Sequence, residues 1–249
     1  MGTEKLSGIV IREQMKGESN KQIVLLAKGV GRVVLSARGA RNVKSRLLAA
    51  TQLFCYADFV VYEGNGFYSI NQAELQKSFY NLRTDIDKFS EAMYLTELVD
   101  RSCPAGMEQD EVLELLYYAF SVMEKGTLPP KLISRIFELK LLQINGLFAP
   151  EECNICGESL GDIYFDGRLG TFYCEDHKTS NSIFVYDAVR KAFSHVLSKE
   201  GKGVFGFNLS EEALEQLRKL QSAASSLRLE TARVWGEDKP SPHKRQRSL

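Results

Sequence analysis

The chain has 249 residues, of which 44% are hydrophobic and 26% charged, and its 32 basic and 32 acidic side chains cancel. These proportions predict folded domains with hydrophobic cores and exclude a wholly disordered chain. No stretch approaches the roughly twenty apolar residues that a membrane-spanning helix needs. The first residues also lack the apolar run of a signal peptide, so we expect a cytoplasmic protein with no membrane partner.

Short β-branched segments separated by glycine fill roughly the first seventy residues. Five of them are predicted strands: Gly8–Arg12, Gln22–Leu26, Gly31–Leu35, Phe59–Tyr62 and Phe67–Ile70. Asn65-Gly66 favours a tight turn, so we expect a hairpin between the last two strands. Five strands with one longer interruption fit an OB-type barrel or an SH3-like barrel, and the pattern does not separate the two.

A basic stretch lies in the middle of these strands. Residues 1–50 contain ten Lys or Arg and three Glu, a net charge of +7, whereas residues 83–149 contain seven bases and eleven acids, a net charge of −4. Residues 28–46 carry no acid and six bases, namely Lys28, Arg32, Arg38, Arg41, Lys44 and Arg46. This stretch is suited to phosphate contact, and a merely solvated face is the alternative.

Aromatic residues cluster in the same part of the chain. Six lie on or beside the predicted strands: Phe54, Tyr56, Phe59, Tyr62, Phe67 and Tyr68. Because alternate side chains of a strand face opposite sides, we expect most of these rings in the core and about two in solvent. OB barrels commonly hold single-stranded nucleic acid between a cationic groove and exposed rings.

From about residue 83 the hydrophobic period lengthens from two to three or four, which predicts helices. The first three are predicted at Phe89–Asp100, Asp110–Lys125 and Leu132–Gln143. Two further helices are predicted at Ser182–Leu197 and Ser210–Leu220, the second with Ser210 as its N-cap. The last residues, about 225–249, are polar and contain proline, and we expect them to be disordered.

Four potential metal ligands form a CxxC pair and a CxxH pair. Cys153 and Cys156 are followed, after seventeen residues, by Cys174 and His177. Two such pairs supply the four ligands of one tetrahedral Zn²⁺, and free or disulfide-paired cysteines are the alternative. A complete ligand set leaves no position for water or substrate, so the predicted ion is structural.

The residues between the two pairs predict a hairpin. Tyr164–Gly167 and Gly170–Tyr173 would form its strands and bring the second pair back to the first. The remaining cysteines, Cys55 and Cys103, lie in apolar surroundings and are predicted to be buried thiols, as suits a reducing compartment.

Signatures of catalysis are scarce in the sequence. Of the three histidines, His177 is a predicted ligand, His195 lies on a predicted helix and His243 lies in the polar tail. The sequence contains neither the phosphate-loop spacing nor the His-x-Glu of zinc deaminases. We therefore predict that the protein is not an enzyme.

Four groups of residues together resemble a known family. They are Gly8–Ile11; Lys28–Gly31 with Ala37–Arg41 and Lys44–Leu47; Gln72–Leu75 with Leu95–Asp100; and Cys153–Cys156 with Cys174–His177. In these residues the chain resembles the RecO family of bacterial recombination mediators. The resemblance implies an α+β protein: a five-stranded OB-fold barrel in residues 1–80, then an α-helical domain in 81–249 with a zinc-binding knuckle inserted at about 150–180.

The resemblance also implies a role in handling DNA strands. Family members bind single- and double-stranded DNA, anneal complementary strands, engage the C-terminal tail of the single-strand-binding protein and, with RecR, help load RecA. Their DNA-contact motif falls here on Arg38, Arg41, Lys44 and Arg46, with Lys28 and Arg32 nearby. This role implies a nucleoid-associated protein of the cytoplasm. A zinc-stapled protein–protein adaptor without direct DNA binding is the alternative.

In two respects the chain departs from the family pattern. Many zinc-binding relatives have a fourth cysteine where this chain has His177. Relatives also continue a helix at the end of the chain, where residues 222–249 here are polar. If that helix helps to seat the tail of the single-strand-binding protein, this contact is altered here.

Overall fold

The computed structural model describes residues 2–64, 67–146, 152–158 and 161–222. By compactness the chain divides into one unit of residues 1–148 with 192–209 and a second of residues 149–191 with 210–249. Within the described ranges, no helix is long and apolar enough to cross a bilayer. The Asn65-Gly66 turn and the tail predicted at about 225–249 lie outside the described residues.

Five strands close into a barrel in the order β1-β2-β3-β5-β4. Their bounds are β1 (Thr3–Lys16), β2 (Asn20–Ala27), β3 (Gly31–Ala37), β4 (Tyr56–Gly64) and β5 (Phe67–Lys77). β1 closes the barrel by pairing antiparallel with both β2 and β4, whereas β3 and β5 run parallel. This topology confirms the predicted OB-fold barrel and decides against the SH3-like alternative.

The barrel interior is filled by alternate residues of each strand. Its core includes Leu6, Val10, Ile23, Leu25, Val33, Leu35, Phe59, Val61 and Ile70. On β3, for example, Val34 lies between Val33 and Leu35 and points outward, as the two-residue period of a strand requires, whereas Ile9 of β1 and Leu26 of β2 are buried outside this core.

Helices and short strands follow the barrel. The helices are α1 (Ile86–Ser102), α2 (Asp110–Lys125), α3 (Pro130–Ile144) and α4 (Asp187–Ser198), and residues 211–222 are also helical. Single 3₁₀ turns lie at Tyr80–Leu82, Glu175–His177 and Gly201–Phe205. A small sheet of order β7-β6-β8 consists of β6 (Tyr164–Asp166), β7 (Thr171–Tyr173) and β8 (Ser182–Phe184).

The helix predictions are confirmed with one correction. The predicted bounds of α2 agree with the structure, and Gly126, at φ 68°, ends it in the left-handed conformation. Ser210 caps the last helical segment, because its Oγ accepts a hydrogen bond from Ala213 N at 3.3 Å. The helix predicted at Ser182–Leu197 is wrong at its start: the first three residues form β8, which pairs with β6, and the helix begins at Asp187.

An aromatic cluster joins the barrel to α2. Phe54 and Phe79 are fully buried, and their rings meet the ring of Phe120 edge to face at centroid distances of 5.2 and 5.5 Å. Both residues adopt a positive φ, which costs about 1–2 kcal/mol each for a residue with a side chain. Packing in the cluster offsets this strain. Phe54 therefore fixes the end of the segment between β3 and β4, residues 38–55, which we call the basic segment.

Candidate nucleic-acid interface and metal centre

The basic segment is a series of turns held against the barrel at both ends. At its start, Asn20 Oδ1 accepts a hydrogen bond from Gly39 N at 2.9 Å, and Ser19 O accepts one from Arg41 N at 3.0 Å. At its end, Phe54 N donates to the backbone of β1 at 2.9 Å. These backbone contacts fix the path of the segment and leave its basic side chains facing outward.

Five of the six basic residues predicted to contact DNA are exposed: Lys28, Arg38, Arg41, Lys44 and Arg46. Among the described residues none of the five forms an ion pair with a carboxylate. Arg41 donates instead from Nη1 to the backbone oxygen of Gly17 at 2.9 Å. Most of the basic stretch is therefore an uncompensated positive surface.

Arg32, the sixth, lies in a different environment. Its Nη1 donates to Asp100 Oδ1 at 2.8 Å and to Asp100 O at 2.9 Å. The other carboxylate oxygen of Asp100 pairs with Arg12 Nη1 at 2.9 Å. A partner 68 residues away is invisible in a local charge count, so the sequence alone gave no sign of this pairing. A DNA contact by Arg32 stays a prediction.

Two of the six aromatic residues face solvent, the number that strand alternation predicts. The side chains of Tyr62 and Phe67 are 41% and 75% exposed, whereas Phe54 and Phe59 are fully buried. The pattern of the sequence does not single out these two rings. The signal for Tyr62 is its place between strand neighbours, because the adjacent Val61 is buried and must face the core.

The four predicted metal ligands lie together, with their ligand atoms within 4.8 Å of one another. Cys174 Sγ is 3.2 Å and Cys153 Sγ is 3.8 Å from His177 Nδ1, and Cys156 Sγ is 4.0 Å from Cys174 Sγ. A tetrahedron with Zn–S bonds of about 2.3 Å has edges of about 3.8 Å. The quartet could therefore hold one tetrahedral ion, and His177 as its fourth ligand stays a prediction.

The local fold explains how the two pairs meet. The predicted hairpin is confirmed as β6 and β7, and Cys174 directly follows β7. The first pair is tied to the same strand, because Asn154 N donates to Phe172 O at 3.0 Å. Gly157, at φ +70°, closes the turn of the first pair with a 2.9 Å hydrogen bond from its N–H to Cys153 O.

The thiols of the first pair differ in acidity. Desolvation opposes ionisation of Cys153, but backbone N–H groups of Cys156, Cys174 and Ile155 stabilise its thiolate and lower its pKa to about 6. The backbone N–H of Glu158 favours the Cys156 thiolate, yet desolvation and the neighbouring thiols leave the pKa of Cys156 raised. A cation held among these groups would relieve the repulsion between neighbouring thiolates.

The two cysteines outside the quartet are buried, as the sequence predicts. Cys55 and Cys103 are 0% and 3% exposed, and burial raises the pKa of both thiols. Neither thiol is accessible, as a reactive thiol must be.

Comparison with known proteins identifies the family. Residues 1–79 match the family described as "Recombination protein O N terminal", and residues 83–234 match "Recombination protein O C terminal". The chain belongs to the RecO family. The two matches meet between residues 79 and 83, where the barrel gives way to helices, and the metal quartet lies inside the second.

Relatives called DNA repair protein RecO are similar to the chain over most of its length. The protein from Acetivibrio thermocellus is 30% identical over 231 residues, which cover 91% of this chain and 92% of the relative. That from Alkaliphilus metalliredigens is 33% identical over 221 residues, with 87% and 89% covered. That from an Exiguobacterium species is 31% identical over 238 residues, with 93% and 94% covered.

Proposed function

We propose that this member of the RecO family is a non-catalytic mediator of DNA repair and recombination. It binds single- and double-stranded DNA, anneals complementary strands and, with RecR, helps load RecA on DNA coated by single-strand-binding protein. One observation carries the proposal. Five exposed basic side chains of the OB-barrel domain have no acidic partner among the described residues. Such a surface binds phosphates and releases their counterions whatever the sequence.

Annealing follows from the same charges. Two DNA strands repel each other through their phosphates, and a protein that neutralises some of them lowers the barrier to pairing. Lys28, Arg38, Arg41, Lys44 and Arg46 supply this neutralisation, and the last four lie in the basic segment, whose path is fixed by its backbone contacts.

The protein partners follow from membership of the family. RecR, the C-terminal tail of the single-strand-binding protein and RecA are the proposed partners, as the resemblance implies. A mediator of this kind works at the nucleoid, in the cytoplasm.

We propose that the metal quartet holds one structural Zn²⁺. Cys153, Cys156, Cys174 and His177 would be its ligands, and the ion would supply a cross-link between the two pairs. Since all four ligand positions come from the chain, the ion braces the β6–β7 hairpin and leaves DNA binding to the barrel.

Strand annealing on coated DNA tests this function. Complementary oligonucleotides are covered with the cognate single-strand-binding protein, and duplex formation is followed by fluorescence transfer with and without the protein. We expect the parent to accelerate annealing and a variant with Arg38, Arg41 and Lys44 all changed to Glu to lose most of that effect.

The matched control changes Lys125, Lys131 and Lys202 to Glu. These three lysines are exposed and lie outside the barrel, so the control alters net charge by the same amount. It should anneal as the parent does. A parent that leaves the annealing rate unchanged would support the adaptor instead and overturn the proposal.

A further inference from the structure

The outer face of the barrel carries exposed apolar side chains beside the basic segment. On β3, Val33 and Leu35 fill the core, so Val34 and Ser36 point outward, and Val34 is 47% exposed. Outward positions of a solvated strand are normally polar, since an exposed apolar patch leaves water in contact with hydrocarbon. This face therefore differs from a purely solvated surface.

The strand register continues this face onto β5 and β4. Ser36 lies beside Ser69, which in turn lies beside Tyr62. Gly64 lies beside Phe67 across the same β4–β5 ladder. The exposed rings of Tyr62 on β4 and Phe67 on β5 therefore lie on the same face of the sheet, at neighbouring outward-facing pairs of the ladder.

Gly64 makes room for one of these rings. A Cβ atom at this position would lie 3.0 Å from Cε1 of Tyr62, so the ring of Tyr62 leans over the backbone of Gly64. Because Gly64 pairs with Phe67, this tilt turns the Tyr62 ring towards the level of the second exposed ring. Because Gly64 has no side chain, the ring of Tyr62 can lie near that of Phe67 at the same end of the β4–β5 ladder.

Charge is distributed unevenly around the two rings. Arg38 directly follows β3, two positions beyond the outward-facing Ser36, or about 7 Å along the strand. Further along the β4–β5 ladder, Asp58 and Glu74 are paired positions and carry negative charge. Because β3 and β5 run parallel, Arg38 and this acidic pair lie on the same side of the rings, but Arg38 is two positions from the level of Ser36 and Tyr62, whereas Asp58 is four. A phosphate that contacts Arg38 would therefore lie nearer the rings than the acidic pair does, as a nucleic acid strand lying by the rings requires.

We propose that Tyr62 and Phe67 form a stacking platform for unpaired bases, so that the barrel binds single-stranded DNA more tightly than double-stranded DNA. Bases in a duplex are already stacked on their neighbours, whereas unpaired bases offer a free face to an aromatic ring. The basic segment holds the phosphates of either form. This inference rests on the proposed function, since it names the part of the ligand that each group of residues contacts.

The test compares ring variants on three probes of equal length: oligo(dT), a duplex, and an oligomer of abasic deoxyribose phosphates. The variants are Tyr62→Ala, Phe67→Leu and Phe67→Tyr, and affinity is measured by fluorescence anisotropy at fixed salt. Leucine keeps the apolar surface of Phe67 without the ring, whereas tyrosine keeps the ring. Ile86→Ala is the matched control, because Ile86 is 76% exposed and lies at the start of α1.

We expect Tyr62→Ala and Phe67→Leu each to weaken oligo(dT) binding about 5- to 150-fold, the effect of losing one base–ring stack. Binding of the duplex and of the abasic oligomer should change less than about twofold. Phe67→Tyr and Ile86→Ala should bind all three probes as the parent does.

Two outcomes contradict different parts of the account. Equal losses on oligo(dT) and on the abasic oligomer, or no loss in either ring variant, would overturn the stacking platform and leave phosphate binding by the basic segment intact. A parent protein that binds none of the three probes would overturn the proposed function itself.

Discussion

Arg32 of β3 and Asp100 of α1 are joined twice, because Arg32 Nη1 lies 2.8 Å from the Asp100 carboxylate and 2.9 Å from its backbone oxygen. Asp100 also binds Arg12 of β1, and its side chain is only 14% exposed. One carboxylate therefore ties two barrel strands to a helix. Arg12 and Arg32 thus hold the barrel to α1, whereas Lys28, Arg38, Arg41, Lys44 and Arg46 face solvent.

Asp100→Ala is expected to lower the free energy of unfolding by about 2 kcal/mol, because two arginines lose their shared, largely buried partner. Urea denaturation measures the change. Glu97→Ala is the control, since Glu97 pairs with Arg101 on the exposed face of α1, and it should cost less than about 0.5 kcal/mol. Equal small losses in the two variants would refute a structural role for the Asp100 pairing.

Two glycines near the start of β3 allow the cost of an added side chain to be compared at two sites. Gly29 and Gly31 both adopt positive φ, but a Cβ at Gly31 would lie 1.8 Å from Met107 O, whereas one at Gly29 meets nothing within 4 Å. We expect Gly31→Ala to cost about 3 kcal/mol or more and Gly29→Ala about 1 kcal/mol, the conformational strain alone. Thermal and urea unfolding of both variants check this, and similar losses would contradict the close approach at Gly31.

The raised pKa of Tyr94 predicts that the free energy of unfolding depends on pH in the alkaline range. Burial, reinforced by the Glu138 carboxylate, raises the pKa of Tyr94 to about 12. Tyrosine in the unfolded chain ionises at about pH 10. The protonated Tyr94 therefore contributes its full stabilisation below this pH, and the contribution is lost as the pH rises towards about 12. Since the group is only part-buried, screening limits the loss to about 1–2 kcal/mol.

Tyr94→Phe isolates this effect, because phenylalanine cannot ionise and every other group is shared. Urea denaturation of parent and variant at pH values from about 9 to 12 measures the difference. The stability lost over this range should be smaller in the variant. Parallel curves for the two proteins would show that Tyr94 titrates alike in the folded and unfolded states.

Removal of one thiol tests the metal centre. Cys156→Ser should release the ion and lower the midpoint of thermal unfolding, because metal binding and local folding are coupled. DNA affinity of the folded variant should stay within about twofold of the parent, since the barrel supplies the contacts. Metal content by elemental analysis and affinity by anisotropy are the two readouts.

The controls for this experiment come from the chain itself. Cys55→Ala removes a buried thiol outside the quartet and should keep one equivalent of metal even if it lowers stability. His177→Cys should also retain the ion, because thiolate replaces imidazole in a tetrahedral set, whereas His177→Ala should weaken its binding. Equal metal content in Cys156→Ser and the parent would contradict the assigned site.

Local patterns predicted much of the fold. The bounds of α2 could be read from the sequence because hydrophobic spacing marks one face and Gly126 provides the left-handed end. The metal quartet could also be predicted from the sequence, since the type and the spacing of the ligands are local properties. Strand β1 proved longer than predicted because its last residues are exposed and are extended only by pairing with β2.

Features that depend on distant partners were not predictable from local patterns. Ser182–Phe184 has helical spacing in sequence, and only pairing with β6 makes it a strand. In the same way, the sequence does not distinguish Arg32 from its basic neighbours, because only the fold brings Asp100 beside it. The adjacency of the two exposed rings became apparent only when the register placed Gly64 beside Phe67.

The most direct test of the account is the salt dependence of binding to single-stranded DNA. For the parent, the logarithm of affinity should fall linearly with the logarithm of salt concentration, by about 0.7 per neutralised phosphate. Changing Arg38, Arg41 and Lys44 to Glu should make the slope shallower by about 2, whereas the Lys125, Lys131 and Lys202 control should keep the parent slope. A slope unchanged by reversal of the three residues in the basic segment would contradict the assignment of DNA binding to this surface.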